Sequence, residues 1–224
     1  MDWPHLYLLI LILAIWGLEK RFPVFMDKFE ENFLVLIIAS IMAVSFGQVI
    51  ARYAFNTGWS AALEFSMVMF SWLILMGMSY GIKNGTHLGV DILLNAVPSK
   101  IGKLLSLFGA FATLMYALIL LDGAWLAALG FDVRGGAIDY WAKMYKINIG
   151  VEEMRWPEFV QEWFGVKDRV QRWLVLVILP ISLALLAFRS IQAFFGILSG
   201  SRHRMIAGHE AEDLVDEHKD SLKD

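Results

Sequence analysis

The chain has no cysteine among its 224 residues. Disulfides, thiolate metal sites, iron–sulfur clusters and cysteine nucleophiles are therefore excluded. Charge is scarce: 18% of residues are charged, against about 25% in soluble domains. No basic run offers nucleic acid an electrostatic footprint. The five histidines are His5, His87, His203, His209 and His218. None stands in the middle of an apolar block, where a membrane haem would need its ligands. Internal repeats are also missing, and with them the paired halves around a midplane site that self-sufficient secondary transporters show. Ser45, Ser66, Ser71 and Ser182 have no evident His or Asp partner for intramembrane catalysis, so no enzyme activity is expected.

Apolar residues are plentiful, at 58%, and they are gathered in blocks. A bilayer crossing needs about 20 of them per helix. Four blocks reach that length: about Phe33–Tyr53, Phe65–Ile82, Leu104–Leu129 and Trp173–Leu198. None alternates with period two, and helices satisfy their own backbone in lipid. The expected fold is all-α integral membrane, with four transmembrane helices and short amphipathic helices beside them.

Short-loop cations orient the spans. Lys20, Arg21 and Lys28 precede span one, Lys83, Lys100 and Lys103 join spans two and three, and Arg202 and Arg204 follow span four. These segments are expected in the cytoplasm, and the connection over about 130–168 outside. The predicted organisation is an N-terminal apolar helix and linker over 1–32, a membrane domain over 33–198, and an acidic, disordered tail over 199–224. Residues 6–18 are apolar but short for a span. They read either as a helix at the interface or as a fifth span with the N-terminus outside. Pro180 predicts a kink in span four. Pro157 predicts a helix start in the outer loop. There Trp156, Phe159, Trp163 and Phe164 suit one apolar face, set on the membrane surface, on the spans, or on a periplasmic protein.

Six residues are candidates for structural or partner-interface roles. Arg52 and Glu64 end consecutive spans across a turn containing Asn56-Thr-Gly58. Either they pair, or each reaches the headgroups alone. Trp59 lies between them, where aromatic belts form. His87 and Asp91 are four apart after span two; two ligands are too few for a metal site. Thr86 reads instead as the cap of an amphipathic helix running to about Val97, with Asp91 near its positive end. Arg189 lies inside span four, where it must snorkel or find a carboxylate. Asp122 stands toward the outer end of span three.

The segment Arg52-Tyr-Ala-Phe-Asn-Thr-Gly-Trp59-Ser-Ala-Ala-Leu-Glu64, with Gly77 and with Lys83-Asn-Gly-Thr-His87-Leu-Gly-Val-Asp91, resembles the signature of the small membrane subunit of tripartite ATP-independent periplasmic (TRAP) transporters. The resemblance extends over roughly Glu31–Leu198, and the long outer loop is similar to the C4-dicarboxylate branch. It implies a large multi-span permease subunit and a periplasmic substrate-binding protein as partners, beside membrane lipid. It also implies sodium coupling in the large elevator-type subunit, no cofactor in this chain, and a bacterial inner-membrane location with the C-terminus cytoplasmic. The alternative is a small homo-oligomeric transporter using Glu64 as its coupling carboxylate.

Overall fold

A single residue, Phe22, separates the first two helices in the computed structural model, which describes residues 4–85, 97–132 and 135–200. Helix α1 is Pro4–Arg21 and α2 is Pro23–Ala54. Pro23 opens α2 at a position where its missing N–H costs nothing. Helix α3 is Ser60–Asn84, closed by Gly85 at φ +68°, a left-handed cap that suits glycine. Helix α4 is Ser99–Leu121. The connection after α4 holds a 3-10 helix (Gly123–Leu129), α5 (Ala137–Ile147), β1 (Gly150–Arg155), α6 (Glu158–Phe164) and β2 (Arg169–Gln171). Helices α7 (Arg172–Leu176) and α8 (Ile178–Ser199) complete the described chain.

Four stretches are long and apolar enough to cross a membrane: Pro23–Ala54, Ser60–Asn84, Lys100–Leu121 and Arg172–Ser199. The chain is a multi-pass, all-α membrane protein, as its composition implies. Several boundaries differ from the sequence reading, and the first span begins at Pro23 rather than Phe33, so the expected linker before residue 33 is part of the helix. The third span ends at Leu121 rather than Leu129, because Asp122 turns the chain and its carboxylate accepts the Ala124 N–H at 2.9 Å, starting the 3-10 helix. A Cβ on Gly136 would fall against the Leu121 carbonyl, so the returning chain crosses this corner only as glycine. The fourth span is broken at Val177. Pro180 has no N–H for the Leu176 carbonyl, and its ring crowds that carbonyl. Trp72 Nε1 donates to the Val175 carbonyl beside the break at 2.9 Å.

Helix α8 is the hub. Of its span, 61% is buried, against 11% for α2 and α3. Its contact with α4 is made by small residues: Ala110 and Ala117 of α4 and Ala184, Ala187 and Ala193 of α8 are all fully buried. Small side chains let two backbones approach, which is how helices gain packing energy in lipid. Lys103 Nζ reaches the Leu198 carbonyl at one end of this antiparallel pair. Phe25, Phe29, Phe33 and Trp72 form an aromatic row where α2 meets α3, with ring centroids 5.5, 5.7 and 6.3 Å apart.

Helix α1 lies against α8 and also touches the 3-10 helix beyond the C-terminal end of α4. Leu8, Leu11 and Ile15 join the core there, while Leu9, Leu13 and Trp16 face outward. A helix lying in the interface needs a polar face; α1 has none from Leu6 to Leu18. Helix α1 is not among the four stretches that are long and apolar enough to cross a membrane, and residues 6–18 keep both readings.

One guanidinium ties these helices together. Arg189 of α8 donates to Glu30 Oε1 of α2 through Nε at 2.8 Å and Nη2 at 2.6 Å. Its Nη1 donates to Glu19 Oε1 of α1 at 2.9 Å and to Gln192 Oε1 at 2.7 Å. Gln192 Nε2 in turn donates to Glu19 Oε2 at 2.7 Å, and Ser79 Oγ of α3 donates to Glu30 Oε2 at 3.0 Å. Glu30 is fully buried and Arg189 only 3% exposed. Glu30→Ala strands a buried charge and is expected to destabilise the bundle by about 3–5 kcal/mol, read by unfolding in mixed detergent. Replacing both Glu30 and Arg189 by Leu should recover most of that loss. Glu19→Ala, at a partly exposed carboxylate, should cost about 1 kcal/mol or less.

Candidate functional site at the corner of α2 and α3

The α2–α3 connection is short and strongly bent. Asn56 takes a left-handed conformation at φ +51°, which asparagine tolerates better than most residues. Thr57 N–H and Oγ1 both donate to the Ala51 carbonyl, at 3.1 and 3.3 Å, and close the end of α2. Trp59 occupies the cap position of α3, and its carbonyl accepts the Ala62 N–H at 3.2 Å. Its ring is 46% exposed, as expected of a belt tryptophan.

Glu64, one turn into α3, does not pair with Arg52. Its Oε1 accepts the Glu152 N–H at 3.0 Å, and its Oε2 accepts the Glu153 and Met154 N–H groups at 2.8 and 2.7 Å. Ser60 Oγ adds a bond to Glu153 Oε2 at 2.8 Å. The cation whose charge acts on Glu64 is Arg172, at the start of α7. Arg52 is exposed, and among the described residues no ion pair joins it to Glu64. The pairing alternative therefore fails. The two residues are close along the chain, but a row of free amides is a stronger partner for a carboxylate than a flexible cation at the surface.

Those amides are free because of the strand register. Strand β1 pairs antiparallel with β2 through Gly150↔Gln171 and Arg155↔Arg169. Five steps on β1 face two on β2, so three residues of β1 lack a counterpart. Backbone donors left unpaired in this way need another acceptor, and Glu64 is that acceptor. The hairpin is braced at its base by Arg172 N–H to the Ile149 carbonyl and farther out by Trp156 N–H to the Asp168 carbonyl. Arg155 and Asp168 add an exposed ion pair at 2.8 Å. Beside it, Trp141 and Tyr145 of α5 pack edge-on to Trp173, and Trp141 Nε1 donates to the Trp173 carbonyl at 3.0 Å.

The sequence reading missed this hairpin, since residues 150–171 show no clean alternation. It also left Glu19 and Glu30 unassigned, although the buried Arg189 demanded carboxylates. His87 and Asp91, with the amphipathic helix expected around them, lie outside the described residues, as does the acidic tail.

Loss of the Glu64 carboxylate should loosen β1. Glu64→Ala is expected to accelerate amide hydrogen exchange at Glu152, Glu153 and Met154 by about tenfold or more, corresponding to the 1.5–3 kcal/mol typical of a hydrogen bond to a charged group. Arg52→Ala should leave those amides unchanged. The charge exchange Arg52→Glu with Glu64→Arg should be no better than Glu64→Arg alone; recovery in the double variant would restore the rejected pair.

Comparison with known proteins agrees with this architecture. The family described as "Tripartite ATP-independent periplasmic transporters, DctQ component" matches residues 41–200. A C4-dicarboxylate TRAP transporter small permease protein DctQ of Vibrio cholerae serotype O1 is 32% identical over 95% of this chain and 91% of its own length. The protein of the same description from Pseudomonas aeruginosa is 25% identical over 77% of this chain and 70% of its own. A putative TRAP transporter small permease protein of Haemophilus influenzae is 28% identical over 46% of this chain and 63% of its own. The matched region takes in the hub helix, the corner with Glu64 and the hairpin that it holds, and the chain belongs to the DctQ component family of TRAP transporters, whose members are transporter subunits rather than enzymes.

Proposed function

We propose that this chain is the small permease subunit of a TRAP transporter for C4-dicarboxylates in a bacterial inner membrane. It packs on a large multi-span subunit and widens that subunit's stationary frame. The large subunit moves substrate with sodium, and a periplasmic binding protein delivers the substrate. The observation that carries this reading is the near full-length similarity to a relative of that description. Wide apolar surfaces support it: Val35, Met42 and Phe46 of α2, Met67 and Phe70 of α3, and Leu104 and Phe108 of α4 all face outward. Both oxygens of Glu64 are engaged by backbone amides, which counts against its service as a coupling carboxylate in a transporter made of this chain alone.

Uptake of a radiolabelled C4-dicarboxylate into proteoliposomes tests the reading. Uptake should require this chain, the large permease subunit and the binding protein together, and should follow an inward sodium gradient. Sodium-driven uptake by this chain alone would replace the proposal with the homo-oligomeric alternative.

In the same proposal α1 crosses the bilayer with its N-terminus outside, while the chain beyond α8 is cytoplasmic. The absence of native cysteine makes single-thiol labelling clean. An impermeant maleimide added outside should label Asp2→Cys and not Ser201→Cys. Labelling only from inside at both positions would return α1 to the cytoplasmic face.

A further inference from the structure

We propose that α6 is an outer-leaflet anchor, a short amphipathic helix that lays Phe159, Trp163 and Phe164 into the lipid headgroup region beside α3.

The argument begins with level. Glu64 stands one turn inside the α3 span, yet its carboxylate holds the backbone of Glu152–Met154. Ser60, the first residue of that helix, holds Glu153. Strand β1 therefore lies at the outer boundary of the α3 span rather than standing off it. Direction follows. The base of the hairpin, at Gly150 and Gln171, adjoins α7 and the fourth span; two to four residues later β1 is on α3. The hairpin crosses sideways from one span to the next, along the membrane surface. Helix α6 continues from its far end.

The faces of α6 match that position. At about 100° per residue, Phe159, Val160, Trp163 and Phe164 fall within an arc of roughly 140°, with Glu158, Gln161 and Glu162 on the remainder. The three aromatics are 57%, 79% and 72% exposed. Phe159 and Trp163 meet edge to face at 6.2 Å, so the apolar side is a formed surface. Gln161 Nε2 donates to the Trp156 carbonyl at 2.7 Å and fixes the turn leading into the helix. Lys167 and Arg169, both exposed, follow within a few residues and suit phosphate headgroups. Leu63 and Met67 continue the outward apolar surface down α3. Large aromatics at a span boundary, with cations beside them and lipid-facing residues below, are the composition of a membrane interface.

The test uses the chain assembled with its large permease subunit, whose own thiols are replaced, in vesicles of phosphatidylethanolamine and phosphatidylglycerol. A nitrobenzoxadiazole label is placed at Trp163→Cys, at Phe164→Cys and, on the polar face, at Glu162→Cys. Doxyl-lipid quenching should exceed iodide quenching by about threefold at the first two positions, as for groups 5–10 Å inside the headgroup boundary, and the ratio should reverse at Glu162→Cys. Dominant iodide quenching at both aromatic positions would overturn the anchor. So would shielding from both quenchers, which would assign the face to the large subunit, or protection that appears only when the periplasmic binding protein is added. These readouts do not depend on transport, so the anchor and the proposed transport role stand or fall separately.

Discussion

Arg189 decides how this membrane domain is put together. An arginine within an apolar span is expensive unless carboxylates meet it. The chain supplies Glu30 from α2 and Glu19 from α1, on helices separated by one residue. Because the guanidinium is on α8, the helix that the others pack around, the ion pairs fix where α1 and α2 sit along it. Ser79 brings α3 to the same point. Such a cluster adds little net stability over apolar packing, but a misplaced helix would leave a charge stranded in lipid. The penalty for the wrong arrangement is what makes the arrangement specific.

The corner of α2 and α3 uses the same logic with different donors. A bulged strand presents three backbone amides that its partner strand cannot reach, and a single carboxylate at the end of α3 takes all three. This ties an extramembrane hairpin to a transmembrane helix through main-chain atoms. Apart from Glu153, whose carboxylate accepts Ser60 Oγ, residue identity at 152–154 matters little to the contact, whereas the carboxylate at 64 matters a great deal.

How much of this was legible in the sequence follows from the range of the interactions. The spans are local facts of composition, and the four lie on the apolar blocks that hydropathy marks, with ends shifted by up to about ten residues. The helix after Pro157 and the break before Pro180 are also local, since proline acts on its own backbone. Arg189 announced that a partner was needed, but not that Glu30, 159 residues earlier, would be it. Glu64 was recognised as significant, but neither alternative weighed for it, a pair with Arg52 or the headgroups alone, named its partners. Its real partners carry no side-chain signal, because backbone amides belong to every residue. Only the register of β1 against β2 leaves those three free, and register depends on pairing that a sequence without clear alternation does not reveal.

The placement of polar groups also constrains how another subunit can attach. Ser40, Ser66, Ser71, Thr113 and Ser190 each return their hydroxyl to the carbonyl four residues back in their own helix. The strong ionic ties are turned inward on α8. What α2, α3 and α4 show outward is dominated by apolar side chains such as Val35, Phe46, Phe70 and Phe108. In lipid such faces gain nothing from the hydrophobic effect on meeting another helix, since the tails are equally apolar. Association within the bilayer must then come from shape-matched packing over a long contact. Directional polar groups are left to the ends of the helices, as at the hairpin held by Glu64.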